Sequence, residues 1–206
     1  MSGGAFWCHD LPLVLASQSA TRRQLLESAG LTPQVVSPDV DERALEASIA
    51  TSEPVALAKG LASAKAAEVA ARHHGQIVIG ADQLLVLGGK LLHKPKDRAA
   101  AKAQLMALSA GHAHELISAV AVFRDAKCLW VQASVARLRM RKLSQAFLEL
   151  YLDKVGDQAM RSVGAYQIEG YGIQLFDHIE GDHATILGLP LLPLLDFLRE
   201  AGFMMS

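Results

Sequence analysis

The stretch Leu13-Val-Leu-Ala-Ser-Gln-Ser-Ala-Thr-Arg-Arg-Gln-Leu-Leu-Glu-Ser-Ala-Gly30 carries an apolar strand through small hydroxyl residues into a helix that opens on two arginines. Pro12–Ser17 reads as the strand and Ala20–Ala29 as the helix, with Ser19 as its N-cap and Leu25, Leu26 and Ala29 as the apolar stripe that pins it to a sheet. A helix start exposes backbone N–H groups that lack intrahelical partners and carries partial positive charge, so it accepts an anion. Arg22 and Arg23 lie in the first turns and oppose that dipole. A phosphate-like ligand explains the pair better than local stability does; a solvated arginine pair on an ordinary amphipathic helix is the competing reading.

Beyond this stretch, strand and helix periods alternate: Pro33–Ser37 strand, Pro54–His74 helix and Gln76–Ala81 strand. This is an α/β pattern. Leu84–Leu87 and Lys90–Leu92 flank Gly88-Gly89 as a hairpin, and Asp97–Leu108 is a helix. His112–Phe123 and Lys127–Arg139 form a longer hairpin across Arg124-Asp125-Ala126, so the sheet is mixed. Ser144–Lys154 is a Ser144-capped helix, a glycine-punctuated stretch runs through Gly188, and Leu189–Ala201 closes the chain as a helix. The reading is a mixed, twisted sheet with flanking helices in a single domain over residues 1–206, with residues 1–11 as a flexible N-terminal extension.

Half of the 206 residues are hydrophobic (51%), enough to bury a substantial core as one domain or two closely packed lobes. Lys plus Arg (20) nearly balances Asp plus Glu (21), so no global field draws in nucleic acid or an anionic membrane, and any basic site is local. RNA binding also lacks an aromatic-basic face. Cys8 and Cys128 have neither metal-ligand spacing nor a disulfide framework, and the N-terminus has no basic n-region or long apolar h-region. A cytoplasmic protein with reduced thiols is expected. The apolar run Ile186–Leu198 is broken by Pro190, Pro193 and Asp196 and is too short to span a bilayer, so it reads as a buried C-terminal helix.

Three constellations can carry chemistry. In Val78-Ile-Gly-Ala-Asp82-Gln83 a buried apolar strand ends abruptly in a carboxylate, where open α/β sheets place ligands; Asp82 could bind a divalent ion or take a proton from water. An ordinary turn aspartate is the bland alternative. Asp39-Val-Asp41-Glu42 offers three carboxylates in one loop, a donor set suited to magnesium or manganese, although without a partner motif a solvated acidic loop is the favoured reading. Lys65, set among alanines on the long helix, and Lys94 in His93-Lys-Pro-Lys-Asp97 are candidate cations, with snorkelling as the structural reading of Lys65.

Other motifs carry no site. Gly88-Gly89-Lys90 lacks the glycine spacing of a phosphate-binding P-loop and is a turn. His112 with His114, and His73-His74, lack the companions of a zinc site. Ser17, Ser19 and His183 are too generic for a Ser-His-Asp triad.

Taken in order, Leu-Ala-Ser-Gln-Ser-x-x-Arg-Arg with Leu25-Leu26, Asp-Val-Asp-Glu42, Ala64-Lys65-Ala66, Gly-Ala-Asp82-Gln, Lys94-Pro95 and Gly164-Ala-Tyr-Gln-Ile-Glu-Gly170 resemble the Maf family of nucleoside triphosphate pyrophosphatases, over roughly Leu13 to Gly202. The resemblance implies an inosine triphosphate pyrophosphatase-like α/β fold, commonly homodimeric, with a nucleotide between two lobes. It implies a split of a nucleoside triphosphate into monophosphate and pyrophosphate that depends on a divalent metal, magnesium or manganese. It further implies Ser17, Ser19, Arg22, Arg23, Lys65 and Lys94 as phosphate-binding residues, Glu42 and Asp82 as metal ligands, and Asp82 as the proton acceptor. The family is also associated with arrest of septum formation, so a regulatory binding protein acting in cell division is the alternative function.

The three positions that divide the family's branches are Thr21, Gln83 and Glu169. Gln83 and Glu169 look like the 7-methyl-GTP branch, and a carboxylate accepts from the guanine N1–H and amino group. That branch has an aromatic residue where this chain has Thr21, a stacking contact worth about 1–2 kcal/mol on a cationic base. Ala20 stands where the family usually has proline. A modified or non-standard nucleoside triphosphate is the expected substrate, with the base unresolved.

Overall fold

The structure is a computed structural model and describes residues 4–49 and 53–206. Its frame is the expected opening: β1 (Val14–Ala16), every residue buried, then α1 (Ala20–Ser28). Ser19 caps α1 by accepting the Arg22 amide at 3.3 Å. The helix stops at Gly30, whose φ of +79° lets the Leu31 amide turn back to the Leu26 carbonyl at 3.0 Å. Leu26 is fully buried, and Leu25 and Ala29 pack partly buried against the same core.

The chain continues as β2 (Gln34–Val36), α2 (Glu42–Ser48), α3 (Pro54–Ala70), β3 (Ile77–Leu87), β4 (Lys90–Leu92), α4 (Arg98–Leu108), β5 (Ala113–Arg124), β6 (Lys127–Met140) and α5 (Gln145–Val155). Three short 3-10 turns lead to β7 (Phe176–Glu180), α6 (His183–Ile186) and α7 (Leu191–Glu200). The seven strands make one mixed sheet in the order β2-β1-β3-β5-β6-β7, with β4 beside β3. β1 is parallel to both neighbours, with Ala16 opposite Val36 of β2 and Gly80 of β3. Chain order therefore reverses across β1, and the carboxyl ends of β1 and of the parallel part of β3 form a topological switch point, the place where such sheets hold ligands.

Several elements differ from the sequence expectation. β3 does not end at Ala81; it runs on to Leu87, so Asp82 is neither a strand-terminal nor a turn residue but sits inside the strand. The parallel pairing with β1 is what stops at Gly80, two residues earlier. The Asp39–Glu42 segment is only partly a loop, because Asp41 caps α2 by accepting the Ala44 amide at 3.0 Å and Glu42 begins the helix. α3 ends four residues before His74, and β7 lies inside the stretch that reads only as glycine-punctuated. The Gly88-Gly89 hairpin forms as expected, both residues having positive φ (+56° and +78°) in the sense that two-residue hairpin turns require.

The chain forms two compact units: residues 1–83, 118–134 and 183–206, and residues 84–117 and 135–182. The first holds the core around Leu13, Leu15, Leu26, Ile79, Val120 and Leu198. Its segment 4–11, expected to be loose, is seated: Trp7 is 6% exposed, bridges Met204 and donates its indole N–H to the Leu11 carbonyl at 2.9 Å. Residues 1–3 lie outside the described residues. In α7, Leu194, Leu195 and Leu198 are buried, as expected for the C-terminal helix. No helix among the described residues is long and apolar enough to cross a membrane.

The second unit packs α4 and α5 with the 3-10 turns around Leu105, Leu108, Leu148 and Leu152. Its interior holds His114, fully buried, with Nε2 2.7 Å from the Tyr166 hydroxyl and Nδ1 without a hydrogen-bond partner. His112 is exposed and lies outside β5, so the two histidines do not share a strand face.

Candidate active site

The site grows from one close approach. A Cβ at Gly80 would lie 2.6 Å from the Ala66 amide nitrogen and 2.8 Å from the Ala66 Cβ, so only glycine lets α3 lie this near to β3. That approach sets Lys65, the residue before Ala66, against Asp82, two residues after Gly80. The Lys65 Nζ is 2.5 Å from Asp82 Oδ1 and 2.7 Å from Glu42 Oε1. Lys65 and Asp82 are 7% and 6% exposed, whereas the Glu42 side chain is 56% exposed. An ammonium buried among alanines is costly without counter-charges, and these two carboxylates supply them.

Of the three carboxylates in Asp39-Val-Asp41-Glu42, only Glu42 is brought to Lys65. Asp41 is spent on its cap, and Asp39 donates its amide to Glu68 Oε2 at 3.1 Å. Because Glu42 and Asp82 reach the same nitrogen, their oxygens are close neighbours. Two carboxylates completed by phosphate oxygens and water are what a hard, oxygen-seeking divalent cation requires, so the donor set fits magnesium or manganese. No group of three or more His, Cys, Asp or Glu suited to a metal occurs among the described residues.

At the end of β1, the Ser17 hydroxyl oxygen accepts the Ser19 amide at 3.2 Å and Arg22 Nη1 at 3.2 Å. Arg22 Nη1 also donates to the Ala81 carbonyl at 3.0 Å, and Nε donates to the Gly188 carbonyl at 2.8 Å. Burial pulls the Arg22 pKa below its ordinary value, opposed by the negative charges of Asp82 and Glu42. Three of its five donors are taken by the protein, and Nη2 is what Arg22 can offer an anion. Arg23 is exposed and paired with Glu27 at 3.6 Å.

The first unit thus gathers Ser17, Ser19, Arg22, Glu42, Lys65 and Asp82, with Thr21 on the first turn of α1. Gln83 is beside them, its amide nitrogen donating within the fold, to Ile186 O at 2.9 Å among others. Lys94 and Glu169 belong to the second unit, both exposed. There Glu169 lines a cavity of about 400 Å³ with Tyr151, Tyr166 and Tyr171. Sequence reasoning missed Ser118, Thr185 and Gly188, which hold the site residues through backbone carbonyls and a hydroxyl. No spacing signals such contacts.

The protein is thus of the α/β class, with Arg22, Lys65, Asp82 and Glu42 gathered at a sheet switch point, where such sheets hold ligands. The chain belongs to the Maf family: the family model described as Maf-like protein matches residues 12–201. It is 54% identical over 194 residues to a nucleoside triphosphate pyrophosphatase of Bradyrhizobium diazoefficiens, covering 94% of this chain and 96% of that one. It is 51% identical over 190 residues to a 7-methyl-GTP pyrophosphatase of Brucella abortus, covering 91% and 95%. A solved nucleoside-triphosphatase, or dITP/XTP pyrophosphatase, of Mycobacterium abscessus is 16% identical with a TM-score of 0.39 over 92% of this chain and 93% of that chain, a likeness too slight to argue from.

Proposed function

We propose that this protein hydrolyses nucleoside triphosphates to the monophosphate and pyrophosphate. Water attacks the α-phosphorus, the bond from that phosphorus to the oxygen bridging to the β-phosphate breaks, and pyrophosphate leaves. The observation that carries the reading is the Lys65–Asp82 pair buried at the switch point beside the α1 start. The printed names of relatives about 50% identical over nearly the whole chain point the same way.

In this reading Asp82 accepts the proton of the attacking water, and its carboxylate is held in place by Lys65. The triphosphate's charge is met by the Lys65 ammonium, by Arg22 Nη2, and by the hydroxyls and first amides at Ser17, Ser19 and the α1 start. Arg23 adds positive charge at the same helix end, and Lys94 of the second unit is the remaining cation implied by the resemblance. Glu42 and Asp82 would hold a divalent cation, which when bound would neutralise further phosphate charge and lower the pKa of water.

A modified or non-standard purine is the substrate class this reading favours, supported by Glu169 and by the name of the Brucella relative. The test is incubation of purified protein and magnesium or manganese with canonical and modified triphosphates, with identification of the phosphorus products. Pyrophosphate with monophosphate, from a subset of bases, is expected. Orthophosphate with diphosphate would refute attack at the α-phosphorus. No release from any substrate would shift weight to a binding role in cell division.

A further inference from the structure

The residues on either side of Asp82 are both tied to one turn. On one side, the Gln83 Nε2 lies 2.9 Å from the Ile186 carbonyl oxygen, 3.3 Å from that of Thr185 and 3.0 Å from Ser118 Oγ. An amide nitrogen carries two hydrogens, and three acceptors already share them, so this group has no donor left for a ligand. Ser118, fully buried, spends its own hydroxyl proton on the Thr185 carbonyl at 2.7 Å. On the other side, Arg22 ties the Ala81 carbonyl to the Gly188 carbonyl at the far end of the same turn. Between these anchors the turn closes on itself, through Leu187 N to His183 O at 3.0 Å and Gly188 N to Thr185 O at 3.1 Å. Gly188 has φ +98°, and a Cβ there would come 3.3 Å from Arg22 Nε, so the turn meets Arg22 at bare backbone.

We propose that Gln83 is a positioning residue: by fixing the Thr185 and Ile186 carbonyls it sets the α6 turn that holds Arg22, and through Arg22 the Ser17 hydroxyl and the backbone entering Asp82. The proposal rests on the pyrophosphatase reading. It departs from the base-reading role that the family resemblance implies for this position. A residue acting this way governs the turnover of every triphosphate alike, and discrimination between bases resides elsewhere.

The experiment compares Gln83→Leu, which keeps the bulk and removes the donors, with Arg22→Lys, which keeps the charge and cannot span three acceptors, and with the double variant. Amide exchange is followed at Leu187, Gly188 and Leu189, and steady-state kinetics use one purine and one pyrimidine triphosphate. In Gln83→Leu, exchange at those amides is expected to quicken about tenfold or more, because the turn loses its anchor. kcat is expected to fall about tenfold with KM within about threefold, and the purine-to-pyrimidine ratio of kcat/KM to stay within about twofold. The double variant is expected to lose little beyond Arg22→Lys, because both changes break one chain of contacts. Unchanged exchange with a shifted base ratio would overturn the proposal and make Gln83 a base reader. Quickened exchange with unchanged kinetics would overturn it too. Absence of turnover in the unmodified protein would instead refute the pyrophosphatase reading, with the exchange data still deciding whether Gln83 anchors the turn.

Discussion

The Lys65 ammonium touches the Asp82 carboxylate at 2.5 Å in a pocket that leaves each residue under a tenth exposed, and a glycine two residues before the aspartate makes the contact possible. Helix α3 reaches strand β3 only where no side chain intervenes. The chemistry proposed for the site is therefore built on packing, and packing is where it is most readily perturbed.

Gly80→Ala places a methyl group against Ala66 and the Ala62 carbonyl, neither of which can yield without moving α3. Overpacking of this kind costs about 1–3 kcal/mol. Thermal denaturation is expected to show a Tm lower by roughly 2–4 °C for each kcal/mol lost. Turnover should fall further than folded fraction alone accounts for, because Lys65 is displaced with the helix. A Tm equal to that of the unmodified protein would refute the close approach.

Lys65→Met removes the ammonium shared by Asp82 and Glu42 and leaves a buried carboxylate without its partner. Breaking one side of a buried pair costs about 3–5 kcal/mol, while replacing both members with apolar residues is often neutral. Urea denaturation of Lys65→Met should therefore show a large loss, and the double change Lys65→Met with Asp82→Leu should recover much of it. A single variant as stable as the parent would mean that the pair is not buried in solution.

His114 supplies the pH dependence. Burial lowers its pKa from the ordinary 6.5 to about 4, so the folded protein keeps the ring neutral while the unfolded chain takes up a proton. Stability from this group is thus fully present above about pH 6.5 and is lost as pH falls towards 4, by up to about 3 kcal/mol. His114→Phe pays a pH-independent penalty for the lost Tyr166 contact. The difference in unfolding free energy between the two proteins, measured from pH 7 to pH 4, should shrink in that window; a constant difference would contradict the buried neutral imidazole.

Trp7 tests the N-terminal segment. The residue is 6% exposed and stacks near Phe203, with ring centroids 6.3 Å apart. Trp7→Ala is expected to cost about 3 kcal/mol in chemical denaturation, the usual loss for a buried large aromatic side chain. No change would restore the picture of a loose extension.

What the sequence makes legible follows from where the determinants are local. Leu13 to Gly30 declares a strand, a serine cap, an apolar stripe and a glycine stop, and each works within a few residues of itself. Gly88-Gly89 likewise carries its own turn. The strand through Asp82 is illegible because Gly-Ala-Asp-Gln looks like a strand end, and only tertiary cover by α3 keeps it extended and buried. The acid cluster before α2 conceals a helix start, since an aspartate followed by glutamate can be read as a loop or as a cap. The candidate residues Asp82, Lys65, Arg22 and Glu42 are visible as types. What Arg22 and Gln83 bind is not, because carbonyls more than 100 residues away, at Gly188 and Ile186, have no signature in any side chain.

Whether Asp82 takes the proton from the attacking water is read from the kcat of Asp82→Asn with a triphosphate the parent hydrolyses, measured on protein whose circular dichroism shows it folded. Loss of a general base costs about 100-fold to 10,000-fold, and a fall in that range is the result expected here. Turnover within a few-fold of the parent would place the proton acceptor elsewhere.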